Sequence, residues 1–475
     1  MKSFYIDKRP FIVLLFLEYK NALLLLVSFV LFFIAISSNN IPEGLSTQAY
    51  QTLIIFLLAI FLWVTNIIPL AITSLGIMGL LSTYNVLESG TVYSFFGNEA
   101  IFFIIGAFII SAGISTSGLS ERMSYSVLSQ YGNNPQKLVL SIFTLSACLS
   151  HIMPAHAVAA LLLPILMDVS KKLKLQMGSI LGKYMFFALA WGSVMGGIVT
   201  LLGGARNPLA IGILNETTNL NITFMEWYIT VAPPIYTIMF IVGIYLKSKV
   251  KLSQRDTHLI DELLKEDTNR LGKIKFREIK ASMILLITIF MWIFQSERFG
   301  IANISLISAA LFFVLNVINW EDAKNQINWG AIFMYGGAIA LGKSLVDTGL
   351  LTFFSENYLL TLDITFLGFI VVTLIISMFL TEGVSNAAVV VILLPVILEM
   401  AIHLGLDPKL GVYIVAIPSG LAFMLPMGSP PNAIAFSSGF IKPIEAIKTG
   451  LLFKIIAIIV VLFFALIYWP LLGLY

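Results

Sequence analysis

The stretch Pro154–Pro164, PAHAVAALLLP, recurs in altered form at Ser385–Pro395 as SNAAVVVILLP. The two stretches are separated by 231 positions (385 − 154). The same offset relates AIFFIIGAFIISAGISTSGL, which begins at Ala100, to AIFMYGGAIALGKSLVDTGL, which begins at Ala331. Both pairs of stretches are thus aligned at one offset without a gap: an apolar stretch of helix length, and a stretch that ends in proline. We infer that the chain is built from an internal repeat.

The composition predicts that this repeat lies in a membrane. Of the 475 residues, 59% are hydrophobic and 11% are charged, whereas soluble domains carry about 25% charged residues. We therefore expect an all-α polytopic membrane protein with about 11 transmembrane helices and two re-entrant hairpins. The net charge of +3 is too small to indicate nucleic-acid binding. Cys148 is the single cysteine, which excludes an intrachain disulfide.

Two apolar stretches, 138–169 and 365–402, exceed one crossing and are interrupted by proline and polar residues. A stretch of roughly 35 residues that enters and leaves on one side forms a re-entrant hairpin, which requires a covering of protein or a water-filled cavity. The predicted organisation is an N-terminal segment with the first transmembrane helix (1–50), a first repeat (51–246), a basic cytoplasmic linker (247–278) and a second repeat (279–475).

Lysine and arginine positions predict the orientation. With a cytoplasmic N-terminus, basic loops such as 170–183 and 247–278 fall inside, whereas loops 38–50, 85–98 and 215–227 contain no Lys or Arg. The positive-inside rule therefore predicts a multi-pass plasma-membrane protein with its C-terminus outside. Matched loops of the two halves carry opposite charge bias, so the repeat is predicted to be inverted. Inverted repeats with broken helices are the architecture of secondary transporters.

The second hairpin reads FLTEGVSNAAVVVILLP and places Thr381, Ser385 and Asn386 at its predicted tip. Free N–H groups at such a tip suit an anion, and free carbonyls with Thr and Asn oxygens suit Na⁺. The segment Met427–Ala435, MGSPPNAIA, contains prolines that interrupt the helical hydrogen bonds and free further carbonyls. Alternatively, Ser385 and Asn386 only cap a half-helix.

Three motifs resemble the divalent anion/sodium symporter family of dicarboxylate, citrate and sulfate carriers. They are TEGVSN (Thr381–Asn386), AFMLPMGSPPNAIAF (Ala422–Phe436) and NWGAIFMYGGAIALGKSLVDTGL (Asn328–Leu350). The resemblance implies an elevator-type homodimer, surrounded by membrane lipid, that imports a small divalent anion with Na⁺. The expected substrate is a di- or tricarboxylate. We expect no organic cofactor, no nucleic-acid partner and no enzymatic activity.

The resemblance also implies the site residues. The sodium site would use Thr381, the Val384 carbonyl, Asn386, the Gly428 carbonyl and the Pro430 carbonyl. The anion would contact His156, Arg206, Asn207, Asn386, Ala387, Ser429 and Pro430. The first half departs from the family where Pro154-Ala155-His156 replaces Ser-Asn-Thr and Gly204-Ala205-Arg206-Asn207 replaces a TPPN-like sequence. Two oxygen ligands are lost there, and Ser150 and Gly203 are left as a degenerate second sodium site.

The first half gains two ionisable residues, His156 and Arg206, at a depth where burial is costly. The Arg206 guanidinium either replaces the missing sodium ion or binds the anion, unless it snorkels to the membrane rim. His156 either donates to the anion or titrates and couples proton entry, unless a backbone carbonyl holds it neutral. His151 is interpreted as structural. Glu382 is expected to pair with Lys343 or with backbone N–H groups.

Other functions compete with sodium symport. A proton-coupled or exchanging transporter of an inorganic oxyanion such as sulfate would use Arg206 and His156 in place of one sodium site. An intramembrane metalloenzyme would use His151 and His156, but their spacing places them ~140° apart on a helix. The sequence also contains no HExxH motif. A channel is disfavoured because closed hairpin tips offer no ring of charge.

Overall fold

The computed structural model describes residues 11–38, 40–131, 134–250, 272–354, 356–357 and 365–474. Within these ranges every regular element is helical. The α-helices of the first half are α1 Phe11–Ile36, α2 Thr47–Thr65, α3 Leu70–Thr83, α4 Ser89–Ser94, α5 Glu99–Ser117, α6 Leu119–Tyr131, α7 Pro135–Ser150, α8 Ala155–Lys172, α9 Ile180–Val199, α10 Arg206–Thr218 and α11 Phe224–Lys249. Those of the second half are α12 Phe276–Phe299, α13 Ile301–Val314, α14 Trp320–Gln326, α15 Trp329–Asp347, α16 Leu350–Phe354, α17 Phe366–Gly383, α18 Asn386–His403, α19 Pro408–Ser419, α20 Pro430–Ser437 and α21 Pro443–Ile467.

The helices have the length and composition of membrane spans. Nine helical segments of the described ranges are long and apolar enough to cross a membrane, and Leu70–Thr83 and Ile301–Val314 are shorter apolar helices. Large apolar side chains such as Leu31, Phe240 and Leu286 are exposed on the molecule. Such exposure is expected where lipid replaces water as the solvent. The predicted all-α membrane fold is confirmed.

Apart from α1, which has no counterpart, the two halves contain the same helices in the same order. Helices α3, α4, α6, α7 and α8 begin 231 positions before α13, α14, α16, α17 and α18. Even the turns correspond, because Asn85 after α3 and Asn316 after α13 both adopt left-handed backbone, with φ of 52° and 53°. Asparagine tolerates this conformation better than most residues do. The repeat therefore extends well beyond the motifs that revealed it.

The halves also contact each other reciprocally. Helix α5 packs against α13, and its counterpart α15 packs against α3. At both crossings a glycine faces a serine: a Cβ atom on Gly106 would lie 2.6 Å from Ser305 Cβ, and one on Gly337 would lie 2.6 Å from Ser74 Cβ. Small residues of this kind allow close approach of helix backbones in membranes. Equivalent crossings indicate a two-fold relation between the halves.

Helical hairpins lie at the two predicted positions. Residues 151–154 join α7 to α8, and residues 384–385 join α17 to α18. The predicted linker, 247–278, falls largely outside the described residues, which omit 251–271. Helix α11 ends at Lys249 and α12 begins at Phe276. Residues 1–10 of the predicted N-terminal segment also lie outside them.

Two equivalent ion pairs connect the halves around the hairpins. Lys183 of α9 lies 3.1 Å from Glu445 of α21, and Lys409 of α19 lies 2.8 Å from Glu226 of α11. Helices α9 and α19 are repeat counterparts, as are α11 and α21. Each pair therefore joins one half to the other through the same combination of helices.

Candidate anion and sodium site

A cavity of about 900 Å³ lies where the two hairpin tips meet. The helix N-termini that line it include those of α8, α10, α18 and α20, through residues such as His156, Arg206, Asn386 and Pro430. The N-termini of α3 and α15 also contribute, through Leu70 and Gly330. Helix N-termini carry partial positive charge and free N–H donors, so their convergence favours an anion. Among the described residues that line the cavity, Arg206 has the only permanent charge and none is Asp or Glu. The cavity is therefore electropositive.

The second half caps its two helix N-termini with serine. Ser385 Oγ accepts a hydrogen bond from the Ala388 N–H (3.3 Å), and Ser429 Oγ accepts one from the Asn432 N–H (3.4 Å). The first half has Pro154 and Ala205 at these positions, and neither makes a side-chain cap. Capping is thus one role of Ser385, and the N–H groups that begin α8 and α10 have no such cap.

Three oxygen atoms converge behind the second hairpin tip. Thr381 Oγ1 lies 2.7 Å from Asn386 Oδ1 and 2.7 Å from the Ser419 carbonyl oxygen. The hydroxyl has one proton and donates to only one of these acceptors at a time. An oxygen-only cluster of this type fits a hard cation such as Na⁺. The Ser419 carbonyl was missed in the sequence, because only the tertiary fold brings the end of α19 to the hairpin.

The other predicted sodium ligands lie around this cluster. Gly428 and Pro430 line the cavity, whereas Thr381 and Val384 are buried and do not line it. Gly428 packs against the hairpin, since a Cβ atom there would lie 3.3 Å from the Thr381 carbonyl oxygen. Ala387, Ser429 and Asn386 also line the cavity. The structure thus brings the predicted second-half residues together around one hairpin tip.

Glu382, next to Thr381, holds the segment that leads to α20. Its carboxylate accepts hydrogen bonds from the consecutive N–H groups of residues 423–425, at 2.9, 3.1 and 2.8 Å. Lys343 instead pairs with Asp347 on its own helix, at 2.9 Å. The predicted pairing of Glu382 with Lys343 is wrong because both partners are satisfied elsewhere, and the backbone alternative is correct.

Lys454 of α21 is the buried cation that pairs with Glu382. Its Nζ lies 2.9 Å from Glu382 Oε1 and donates to the carbonyls of Met378 and Leu421. The side chain is 0% exposed. This lysine was not among the residues predicted from the sequence, although it lies inside the apolar stretch LLFKIIAIIVV, where an intramembrane charge requires a partner.

The first hairpin tip packs tightly against the segment before α10. The Ala155 N–H donates to the Gly203 carbonyl (3.0 Å), and a Cβ atom on Gly203 would overlap the Ser150 carbonyl. Ser150 Oγ is buried with no hydrogen-bond partner among the described residues. The predicted degenerate sodium site thus offers one free hydroxyl and a carbonyl that already accepts a hydrogen bond.

Asn207 lies behind the cavity rather than in its lining. Its Nδ2 donates to the carbonyls of Gly197, Ile198 and Thr200. Asn432 of the second half does the same, with its Nδ2 donating to the carbonyls of Ala422 and Leu425. Both asparagines are fully buried. Each therefore holds together the unwound segment that precedes its helix.

Arg206 does not snorkel to a rim, because it is only 7% exposed and lines the cavity. Its Nε lies 3.4 Å from the Ala416 carbonyl, a long hydrogen bond. The guanidinium lies between Gly204 and Gly420: a Cβ atom on Gly204 would be 2.8 Å from Nη1, and one on Gly420 would overlap Nη2. The charged group is therefore held by backbone on both sides.

The two histidines of the first hairpin have different environments. His151 Nδ1 lies 2.5 Å from the Ala147 carbonyl and Nε2 lies 2.9 Å from the Tyr236 hydroxyl, on which the ring stacks. Both nitrogens are thus engaged, which leaves none for a metal shared with His156. The His156 ring lines the cavity and makes no hydrogen bond to the described residues. These residues also contain no group of three or more His, Cys, Asp or Glu that could hold a metal.

Comparisons with known proteins support a transporter. The family model described as the sodium:sulfate symporter transmembrane region matches residues 20–475. The sodium-dependent dicarboxylate transporter SdcS of Staphylococcus saprophyticus is 27% identical over 447 residues, which cover 88% of this chain and 86% of that protein. SdcS of Staphylococcus aureus is 25% identical over 450 residues, covering 89% of this chain and 86% of that protein. The resemblance indicated by the motifs is confirmed.

Solved structures share the fold at low sequence identity. The YdaH transporter of Alcanivorax borkumensis has a TM-score of 0.58 at 12% identity, covering 88% of this chain and 99% of that chain. MtrF of Neisseria gonorrhoeae has a TM-score of 0.56 at 11% identity, covering 90% of this chain and 96% of that chain. At such identities the likeness concerns the fold alone.

Proposed function

Since the chain belongs to the sodium:sulfate symporter family, we propose that it imports a small divalent anion, a di- or tricarboxylate, together with Na⁺. The observation that carries the proposal is the electropositive cavity of about 900 Å³ beside an oxygen-only cluster. The staphylococcal relatives named as sodium-dependent dicarboxylate transporters agree with this choice of ion and substrate.

The anion binds among the helix N-termini that line the cavity, and Na⁺ binds at the cluster behind the second tip. The anion contacts are His156, Arg206, Asn386, Ala387, Ser429 and Pro430. The Na⁺ ligands are Thr381, Asn386 and the carbonyls of Val384, Ser419, Gly428 and Pro430. Because Asn386 belongs to both sites, the bound cation lies close to the anion and raises its affinity. This mutual stabilisation couples the two ions.

Arg206 replaces a sodium ion of the first half. The Ser150 and Gly203 region has lost oxygen ligands, and the nearby guanidinium supplies a positive charge that never dissociates.

We further propose a homodimer in the plasma membrane, with the N-terminus in the cytoplasm and the C-terminus outside.

The decisive experiment is uptake of labelled succinate, with sulfate as competitor, into proteoliposomes of the purified protein. An inward Na⁺ gradient is compared with an equal K⁺ gradient at two pH values. Uptake that requires Na⁺ and is blocked by unlabelled succinate supports the proposal. Uptake of succinate that is equal in Na⁺ and K⁺ would contradict sodium coupling.

Thr381→Val tests the sodium site in the same assay. The substitution removes one oxygen ligand and preserves shape, so we expect the Na⁺ concentration for half-maximal uptake to rise about tenfold, equivalent to roughly 1.4 kcal/mol. Thr373→Val is the matched control, because Thr373 is also buried on α17 and does not belong to the cluster. Equal Na⁺ dependence in both variants would remove Thr381 from the site.

The second candidate function is proton-coupled or exchange transport of an inorganic oxyanion such as sulfate. It is favoured by His156, which lines the cavity without a hydrogen-bond partner among the described residues. If His156 titrates during transport, His156→Gln should flatten the pH dependence of uptake between about pH 5 and 8. His403→Gln, at the exposed end of α18, is the control. A pH profile unchanged by His156→Gln would reject this candidate.

A further inference from the structure

Two side chains that line the cavity each carry a buried donor atom with no hydrogen-bond partner among the described residues. Arg206 of α10 is 7% exposed, and its Nη2 has no hydrogen-bond partner among the described residues. Tyr335 of α15 is 0% exposed, and its hydroxyl also has no partner in the described part of the chain. Both side chains contribute to the wall of the same cavity. A ligand in that cavity is therefore adjacent to both residues.

Buried donors of this kind call for an acceptor. A buried polar group left unpaired costs about 1–3 kcal/mol, and a charged group costs more. None of the described residues that line the cavity is Asp or Glu. A ligand that enters the cavity can supply the acceptor, and a guanidinium with a phenol is complementary to the oxygens of a carboxylate or another oxyanion.

The fold provides a place for the guanidinium. Gly204 and Gly420 lie on either side of it, and a side chain on Gly420 would overlap Nη2. Gly420 directly follows Ser419. The Ser419 carbonyl belongs to the cation cluster, that is, the three oxygen atoms of Thr381, Asn386 and Ser419 at the second hairpin tip. Arg206 is therefore positioned by the backbone of both halves, and the free Nη2 is not a consequence of a loose side chain.

The internal repeat shows that both donors are departures from symmetry. At the offsets of the matching motifs, Tyr335 corresponds to Ile104 (335 − 231) and Arg206 corresponds to Pro431 (206 + 225). Ile104 and Pro431 also line the cavity. Neither has a hydrogen-bond donor in its side chain, so the two donors belong to one side of an otherwise two-fold site.

We propose that Tyr335 and Arg206 together bind one carboxylate or oxyanion group of the transported anion. This inference rests on the proposed function and adds Tyr335 as a residue that determines which anions bind. A carboxylate of an organic anion and a free inorganic oxyanion present the same oxygens to this subsite.

Equilibrium binding of succinate and of sulfate to the purified full-length protein in Na⁺, measured by calorimetry, tests the subsite. Tyr335→Phe removes only the hydroxyl and is expected to weaken binding of the occupying anion about 10- to 100-fold, the range for a hydrogen bond to a charged group. Tyr413→Phe is the control, since Tyr413 is fully buried and does not line the cavity. Gly420→Ala keeps every polar atom, displaces the guanidinium and is expected to weaken binding as well.

A loss confined to succinate assigns the subsite to a carboxylate, and a loss confined to sulfate assigns it to an inorganic oxyanion. Unchanged binding of both anions by Tyr335→Phe would overturn the subsite while leaving the proposed function intact. A wild-type protein that binds neither anion would overturn both.

Discussion

Glu382 and Lys454 form an ion pair in the part of the chain that spans the membrane. The carboxylate also accepts three backbone hydrogen bonds from residues 423–425, which precede the unwound segment of the site. Lys454 donates to the Met378 and Leu421 carbonyls, so the pair connects α17, the unwound segment and α21. Since Thr381 is adjacent to Glu382, the pair fixes one ligand of the cation cluster relative to the others.

Lys454→Met should destabilise the protein strongly, because it leaves the Glu382 carboxylate buried without its cation. Breaking a buried pair costs about 3–5 kcal/mol. We expect a loss of about 3 kcal/mol, at the lower end of this range, because the backbone donors to Glu382 remain. The measurement is the apparent Tm in detergent, with Lys324→Met as control. Lys324 pairs with Glu321 at the exposed surface, where a pair contributes at most about 1 kcal/mol.

Adding Glu382→Gln to Lys454→Met should recover part of the lost stability, since no unpaired charge then remains buried. A Tm for Lys454→Met equal to that of Lys324→Met would show that the buried pair contributes nothing particular to stability.

Among individual site residues, those that lie in short local motifs could be predicted from the sequence. Thr381, Asn386 and Ser429 lie in short patterns whose chemistry is visible without a fold. Lys454 acts through a residue 72 positions away (454 − 382), and Tyr335 lies in the part of α15, residues 329–342, that carries no charged residue on any face. Periodicity gives no direction for such a helix, so the orientation of Tyr335 toward the cavity is decided by packing.

At the scale of elements, the two close helix crossings are equivalent by the repeat. Gly106→Ala and Gly337→Ala should each destabilise the protein by about 1–3 kcal/mol, the usual cost of overpacking. The reason is that each new Cβ would lie 2.6 Å from a serine Cβ of the opposite half. Thermal unfolding in detergent measures the loss. Gly79→Ala is the control, because nothing lies within 4 Å of its Cβ position. A loss in only one of the two variants would contradict the equivalence.

The long apolar helices were predictable because the repeat keeps one register from α3 to α8. The short helix α4 was not, since it lies in 85–98, which was expected to be a loop. It could not predict that the N-termini of α8, α10, α18 and α20 line one cavity, since that depends on how the two halves interlock. The same limit explains Asn207. Its motif position indicated a substrate contact, whereas the turn around it directs the amide to the carbonyls of Gly197, Ile198 and Thr200.

At the scale of the whole molecule, a nearly symmetric framework surrounds an asymmetric site. The paired crossings, turns and ion pairs follow the two-fold relation, whereas the second half supplies serine caps and a cation cluster and the first half supplies Arg206 and His156. Under the proposed function, the second half would bind a dissociable Na⁺ while the first half holds the permanent cation Arg206. The framework therefore preserves the fold while the two tips take different roles.

The inverted orientation of the halves can be tested with two equivalent positions. Lys171 at the end of α8 and Ile402 at the end of α18 are exposed and 231 positions apart (402 − 171). In a Cys148→Ser background, which has no other cysteine, Lys171→Cys should react with a membrane-impermeant maleimide only after cells are permeabilised. Ile402→Cys should react in intact cells, because the basic loop after α8 is predicted inside. Labelling of both from one side would show that the repeats are parallel. Labelling of Lys171→Cys alone in intact cells would keep the inversion and place the N-terminus outside.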